Sequence, residues 1–156
     1  MEKNDVIRRA DDLAERCDRS GEVTFSRFLT PAEQYEIENS LNISGDCQMK
    51  LFGGNPDTER KMMFFIPPYY GEEQFDPFDE IKIIRIEAYF GTPGHRDYLG
   101  SLLGLGVERD CIGDIEIKEN VAYVYCMRSV LNHLLTLDKV GRCGVKSKQV
   151  DREDVP

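Results

Sequence analysis

An α+β protein in two units is what this sequence predicts, and three observations predict it. The first part of the chain mixes helical periodicity with one short strand pair. An acidic, proline-bearing stretch at 71–80 then interrupts the pattern. The remainder follows a single clear order of strands and helices. At 156 residues the chain suits one medium domain or two small ones, and at 40% hydrophobic and 31% charged it can bury a core.

Residues 2–18 carry Val6, Ile7, Ala10, Leu13, Ala14 and Cys17 at the spacing of one helix face, and Ser20-Gly21 ends the pattern. Phe25, Phe28 and Leu29 lead into Thr30-Pro31-Ala32-Glu33, a helix start with three signals. Thr30 can cap free N–H groups, Pro31 suits the first helical position, and Glu33 completes a capping box. That helix is expected to reach Leu41. Residues 48–52 and 60–66 read as a β-hairpin around Gly53, Gly54, Asn55, Pro56 and Asp57, and Pro67-Pro68 stops its second strand. The predicted N-terminal unit is thus a small αα pair plus a β-hairpin spanning 1–74.

Beyond the boundary, residues 81–90 alternate as a strand, with Ile84, Ile86 and Ala88 on one face and Ile83, Arg85 and Glu87 on the other. A helix over 95–105, strands over 112–117 and 121–127, a helix over 129–140 and a strand over 145–150 complete the order. The sum, β-α-β-β-α-β, is that of a ferredoxin-like (RRM-like) plait over 75–150, with 151–156 as a polar tail. Such a plait packs two helices on one sheet face and leaves the other open.

The net charge of −9 argues against a polyanion partner only if it is spread evenly. Residues 1–80 hold 18 acidic and 9 basic side chains, whereas 81–156 hold 11 of each. Residues 139–150 contain Lys139, Arg142, Lys146 and Lys148 and no acid. Five cysteines at wide spacing, without CxxC, predict reduced thiols and no metal site. No run is long and apolar enough for a membrane span, and no signal core follows Met1. A cytoplasmic protein is expected.

Catalytic motifs fail on inspection. His95-Arg96-Asp97 resembles a kinase catalytic loop, yet Leu102 stands where the Asn is needed. Gly104-Leu105-Gly106 follows a helix instead of opening one, so it is no dinucleotide fingerprint. Its glycines read as close packing at Gly104 and a left-handed stop at Gly106. Asp110 and Asp114 flank a glycine as turn formers. Tyr123 and Tyr125 fit part of an RNA-recognition strand, but the Lys/Arg-Gly start is missing and the first strand lacks its aromatic. Packing of both tyrosines under the N-terminal unit is the expected alternative. No enzyme activity and no cofactor are expected.

The stretch at 95–115, HRDYLGSLLGLGVERDCIGDI, resembles the signature of the YlmH family of bacterial RNA-binding proteins. Phe28-Leu29-Thr30-Pro31 with Glu33-Gln34, Gly53-Gly54, Glu59-Arg60-Lys61, and Lys139-Val140-Gly141-Arg142 with Val145-Lys146 extend the likeness over most of the chain. Family members usually continue into a C-terminal alpha-L RNA-binding domain, which this sequence lacks. A naturally short form or a fragment of a longer chain is therefore expected. The resemblance implies a cytoplasmic accessory protein that binds rRNA or tRNA at the large ribosomal subunit, in quality control of stalled subunits carrying peptidyl-tRNA. It also leaves open a protein-interaction module linked to cell division, with RNA binding resident in the missing domain. A monomer with no membrane partner is expected.

Under the RNA reading, Arg96, Arg109, Arg128, Lys139, Arg142, Lys146 and Lys148 meet phosphates, and His95 hydrogen-bonds RNA or caps its helix. That reading requires one continuous basic face joining Arg96, Arg128 and Lys146.

Overall fold

The computed structural model describes residues 3–42, 45–53, 60–70 and 74–156. The expected hairpin turn at Gly54, Asn55, Pro56 and Asp57, the likeness at Glu59, and parts of the acidic 71–80 stretch lie outside the described residues. The chain divides into two compact units, 1–77 and 78–156.

The first unit holds α1 (Lys3–Ser20), β1 (Thr24–Leu29), α2 (Pro31–Ser40), β2 (Gln48–Phe52) and β3 (Lys61–Ile66). The strands form an antiparallel sheet in the order β1-β3-β2. The expected αα-plus-hairpin unit thus has a third strand. The apolar stripe of α1 (Val6, Ala10, Ala14 and Cys17) is buried with Leu29, Ile37, Met63 and Phe65 in one core. The start of α2 follows the sequence closely. Thr30 Oγ1 accepts from the Glu33 N–H at 3.1 Å, and the Glu33 carboxylate accepts from the Thr30 N–H at 3.0 Å. Two otherwise orphaned donors are thereby satisfied. The same carboxylate also accepts from Arg9 of α1.

The second unit holds β4 (Ile81–Ala88), α3 (His95–Leu103), β5 (Ile112–Lys118), β6 (Val121–Met127), α4 (Leu131–Leu134), β7 (Lys139–Val140) and β8 (Cys143–Val150). Its antiparallel sheet has the order β5-β6-β4-β8-β7. With β4 counted as the unit's first strand, the four long strands stand in the order second, third, first, fourth. One correction concerns the helix expected over 129–140. The chain makes only a 3-10 turn, Arg128–Val130, and the four-residue α4 before it straightens. Lys139–Val140 then pairs back on Cys143–Gly144 as a hairpin whose turn is set by Gly141, at φ +61°. The apolar spacing at 130, 131, 134, 135 and 137 is real, but it points Leu131, Leu134 and Leu137 into the core from a short turn and an extended segment.

Ile84, Ile86 and Ala88 of β4, with Ala122, Val124 and Cys126 of β6, face Tyr98 and Leu102 of α3 and Leu134 of α4. Leu99, Leu103 and Leu105 pack at the edge of that core. Gly100 is exposed, with open space where a side chain would stand. Gly106 does turn the chain after α3, at φ +94°.

Candidate nucleic-acid interface

Strand alternation and the register of β4, β6 and β8 assign the residues of the helix-free face. Ile83, Arg85 and Glu87 of β4 lie opposite Tyr125, Tyr123 and Val121 of β6, and opposite Val150, Lys148 and Lys146 of β8. Glu116 and Lys118 of β5 pair with Tyr123 and Val121.

Tyr123 and Tyr125 are both buried, at 7% and 0% exposure, so neither presents a ring for a base to stack on. Burial first, and the Glu116 and Asp114 carboxylates after it, push the Tyr125 phenol upward against an opposing Arg152. Its hydroxyl has no hydrogen-bond partner among the described residues.

Lys146 and Lys148, by contrast, are exposed on β8. Glu87 stands across from Lys146, but its carboxylate lies 3.6 Å from Arg85. Arg142 is exposed in the β7–β8 turn and Lys139 on β7. The same hairpin touches α3, where the Gly141 N–H donates to Ser101 Oγ at 3.4 Å. His95 and Arg96 occupy the exposed first turn of α3. His95 does not cap that turn, because the Gly94 N–H donates to the Asp97 carboxylate at 2.8 Å. Lys139, Arg142, Lys146 and Lys148 are thus gathered on one hairpin that packs on α3.

Two expected phosphate ligands stand elsewhere. Arg128 follows β6 at the end marked by the Ile81–Met127 pair and lies 3.3 Å from Glu80. Arg109 donates to the Ile112 carbonyl at 2.7 Å, at the head of β5, which pairs near the same end. The six steps from Ile81 to Glu87 span ~20 Å, so Arg128 and Lys146 mark opposite ends of the sheet. The continuous basic face expected to join Arg96, Arg128 and Lys146 is not formed, because Arg128 stands at the other end of the sheet, and the RNA reading narrows to the hairpin cations.

One aromatic residue escaped the sequence reading. Tyr89 follows β4 directly, donates its N–H to the Gly144 carbonyl at 3.0 Å, and is 60% exposed. Alternation along 83, 85, 87 and 89 was the signal for its face. Among the described residues, chemistry of other kinds is sparse. Glu108, Asp110 and Cys111 offer ligand atoms within 4.8 Å of one another. They sit on a 3-10 turn closed by the Cys111 N–H on the Glu108 carbonyl. Burial pushes the Cys47 and Cys126 thiols up to about 12 and raises Cys17, which disfavours nucleophilic thiolate. A cleft of about 320 Å³ in the first unit is lined by Gln48, Lys50, Phe52, Ile66, Phe75 and others, without paired acid and base groups.

The second unit is thus an α+β fold that carries four exposed cations, Lys139, Arg142, Lys146 and Lys148, on one hairpin. The sequence matches two family descriptions, "YlmH, N-terminal" over residues 2–70 and "Putative RNA-binding domain in YlmH" over residues 74–154, and the chain belongs to the YlmH family. It is 27% identical over 129 residues to the "Ribosome-associated protein quality control protein P2" of Bacillus subtilis. That match covers 82% of this chain and 50% of the relative, so the chain spans about half the length of the curated relative it matches. The solved structure titled "Cell division protein ylmH from Streptococcus pneumoniae" superposes with a TM-score of 0.78 at 18% identity. The superposition covers 99% of this chain and 94% of that one, which establishes the shared fold. No helix among the described residues is long and apolar enough to cross a membrane.

Proposed function

We propose that this chain is a non-catalytic RNA-binding protein that acts at the ribosome in the cytoplasm, in quality control of stalled large subunits with peptidyl-tRNA. The observation that carries the reading is the acid-free row Lys139, Arg142, Lys146 and Lys148, exposed on one hairpin within the segment that matches an RNA-binding family. The ribosome-associated relative supports the setting. Phosphate neutralisation by exposed lysine and arginine gives affinity that falls with salt. With these four cations and Arg96 engaged, the log–log salt slope is about −3.5 on single strands and −4.5 on duplex.

The test is binding of the 156-residue chain to tRNA and to large ribosomal subunits. Affinity is expected to fall roughly 100- to 500-fold between about 50 and 200 mM salt. A Lys146→Glu, Lys148→Glu variant is expected to bind weakly at both salts. Binding that ignores salt, or that survives this charge reversal, overturns the assignment of these residues. The acidic excess of residues 1–80, 18 against 9, favours a second reading, a module that docks a protein and leaves RNA to another domain. A protein partner retained after ribonuclease treatment, with no rRNA bound by the chain itself, would select it.

A further inference from the structure

Tyr89 and Phe90 are consecutive, 60% and 77% exposed, and placed directly after β4. Rings left in water forgo much of the free energy that burial of an aromatic supplies, so packing does not account for them. Tyr89 is nevertheless held in place. Its N–H donates to the Gly144 carbonyl at 3.0 Å, and its ring lies against Gly144, where a Cβ would come within 3.1 Å of Cδ2. Gly144 shares its strand face with Lys146 and Lys148, and Arg142 stands two residues before it. A fixed, exposed ring is therefore in line with two exposed cations of β8, Lys146 and Lys148, and with Arg142 in the turn before that strand. The rings that a plait would ordinarily present from its middle strand, Tyr123 and Tyr125, are buried.

We propose that Tyr89, flanked by Phe90, is the stacking platform for an unpaired base of RNA whose backbone follows Arg142, Lys146 and Lys148. The inference rests on the RNA-binding reading above and adds that the bound RNA is locally single-stranded. A base within a helix keeps both its faces stacked, whereas an unpaired one can offer a face to an aromatic ring. Aromatic stacking beside a cationic track is the general arrangement for single strands. The acid-free run of 139–150 favours this partner over an apolar peptide segment.

The experiment compares a fluorescein-labelled single-stranded RNA of about 12 nucleotides with a blunt RNA duplex of equal length, on the 156-residue chain at low salt. Tyr89→Ala is expected to weaken single-strand binding roughly 5- to 100-fold and to leave duplex binding and the melting curve unchanged. Tyr89→Phe keeps the ring and is expected to bind as the parent does. If Tyr89→Ala leaves single-strand affinity intact while Lys146→Glu, Lys148→Glu still weakens it, the stacking platform is refuted and the RNA reading stands. Equal loss on both probes also refutes stacking. A parent chain that binds neither probe overturns both inferences.

Discussion

Replacing Arg109 by alanine is expected to cost fold stability and to leave RNA affinity unchanged. Its guanidinium donates to the Ile112 carbonyl at 2.7 Å, and Ile112 is fully buried where β5 begins to pair with Cys126. A hydrogen bond with a charged partner contributes about 1.5–3 kcal/mol. Arg109 is half-buried, so solvent screening lowers the expectation to about 1–2 kcal/mol. In a unit of this size each kcal/mol moves the midpoint by ~4–8 °C, so the transition of the second unit should fall by ~5–15 °C. The assay pairs a thermal melt with RNA titrations across a salt series at low temperature. A lost phosphate contact would make the log–log slope shallower by about 0.7–0.9, and none of that change is expected. An unchanged melt together with the shallower slope would refute the argument and return Arg109 to the RNA-contacting set.

Glu33→Ala removes the capping-box acceptor of Thr30 and the partner of Arg9 at once, and should cost the first unit about 1–2 kcal/mol in urea unfolding. Thr30→Ala and Glu33→Ala share the box, so their costs should add to less than the sum, and strict additivity would show that the box is idle. The buried thiols set an alkaline limit. The folded pKa values of Cys47 and Cys126 are raised from 9.0 to about 12, so their contribution to stability is fully present below pH ~9 and lost as pH rises toward 12. Unfolding midpoints should decline across that window, and a Cys126→Ala variant should flatten the decline. A parent curve level to pH 12 would contradict the burial assigned to these thiols.

The sequence was most legible where local chemistry decides. Thr30, Pro31 and Glu33 announce α2 because a cap acts within one turn. The alternation of Ile84, Ile86 and Ala88 marks β4 because one sheet face is buried. Strand β1 was hidden because its register shifts between Phe25 and Phe28, which breaks the period of two. The segment 131–140 misled because three leucines at helical spacing can also be buried by a single turn followed by an extended hairpin strand. Among the candidate site residues, charge was visible but occupancy was not. Nothing in the chain order says that Arg109 meets the Ile112 carbonyl or that Arg128 approaches Glu80. The exposure of Tyr89, against the burial of Tyr123 on the same face, likewise depends on three-dimensional neighbours.

The placement of β4 between β6 and β8 carries a consequence for synthesis of the chain. β5 and β6 can zip as soon as both leave the ribosome, since Glu119 and Asn120 alone join them. β4 is made first in its unit, yet one of its edges finds its partner only when residues 145–150 emerge. Until then an apolar strand bearing Ile81, Ile83, Ile84 and Ile86 keeps one edge unpaired. Such an edge invites pairing with another nascent chain. Long-range closure of this kind also slows folding. The late strand that closes it is also the one that carries Lys146 and Lys148, so completing the sheet and presenting the basic row are a single folding event.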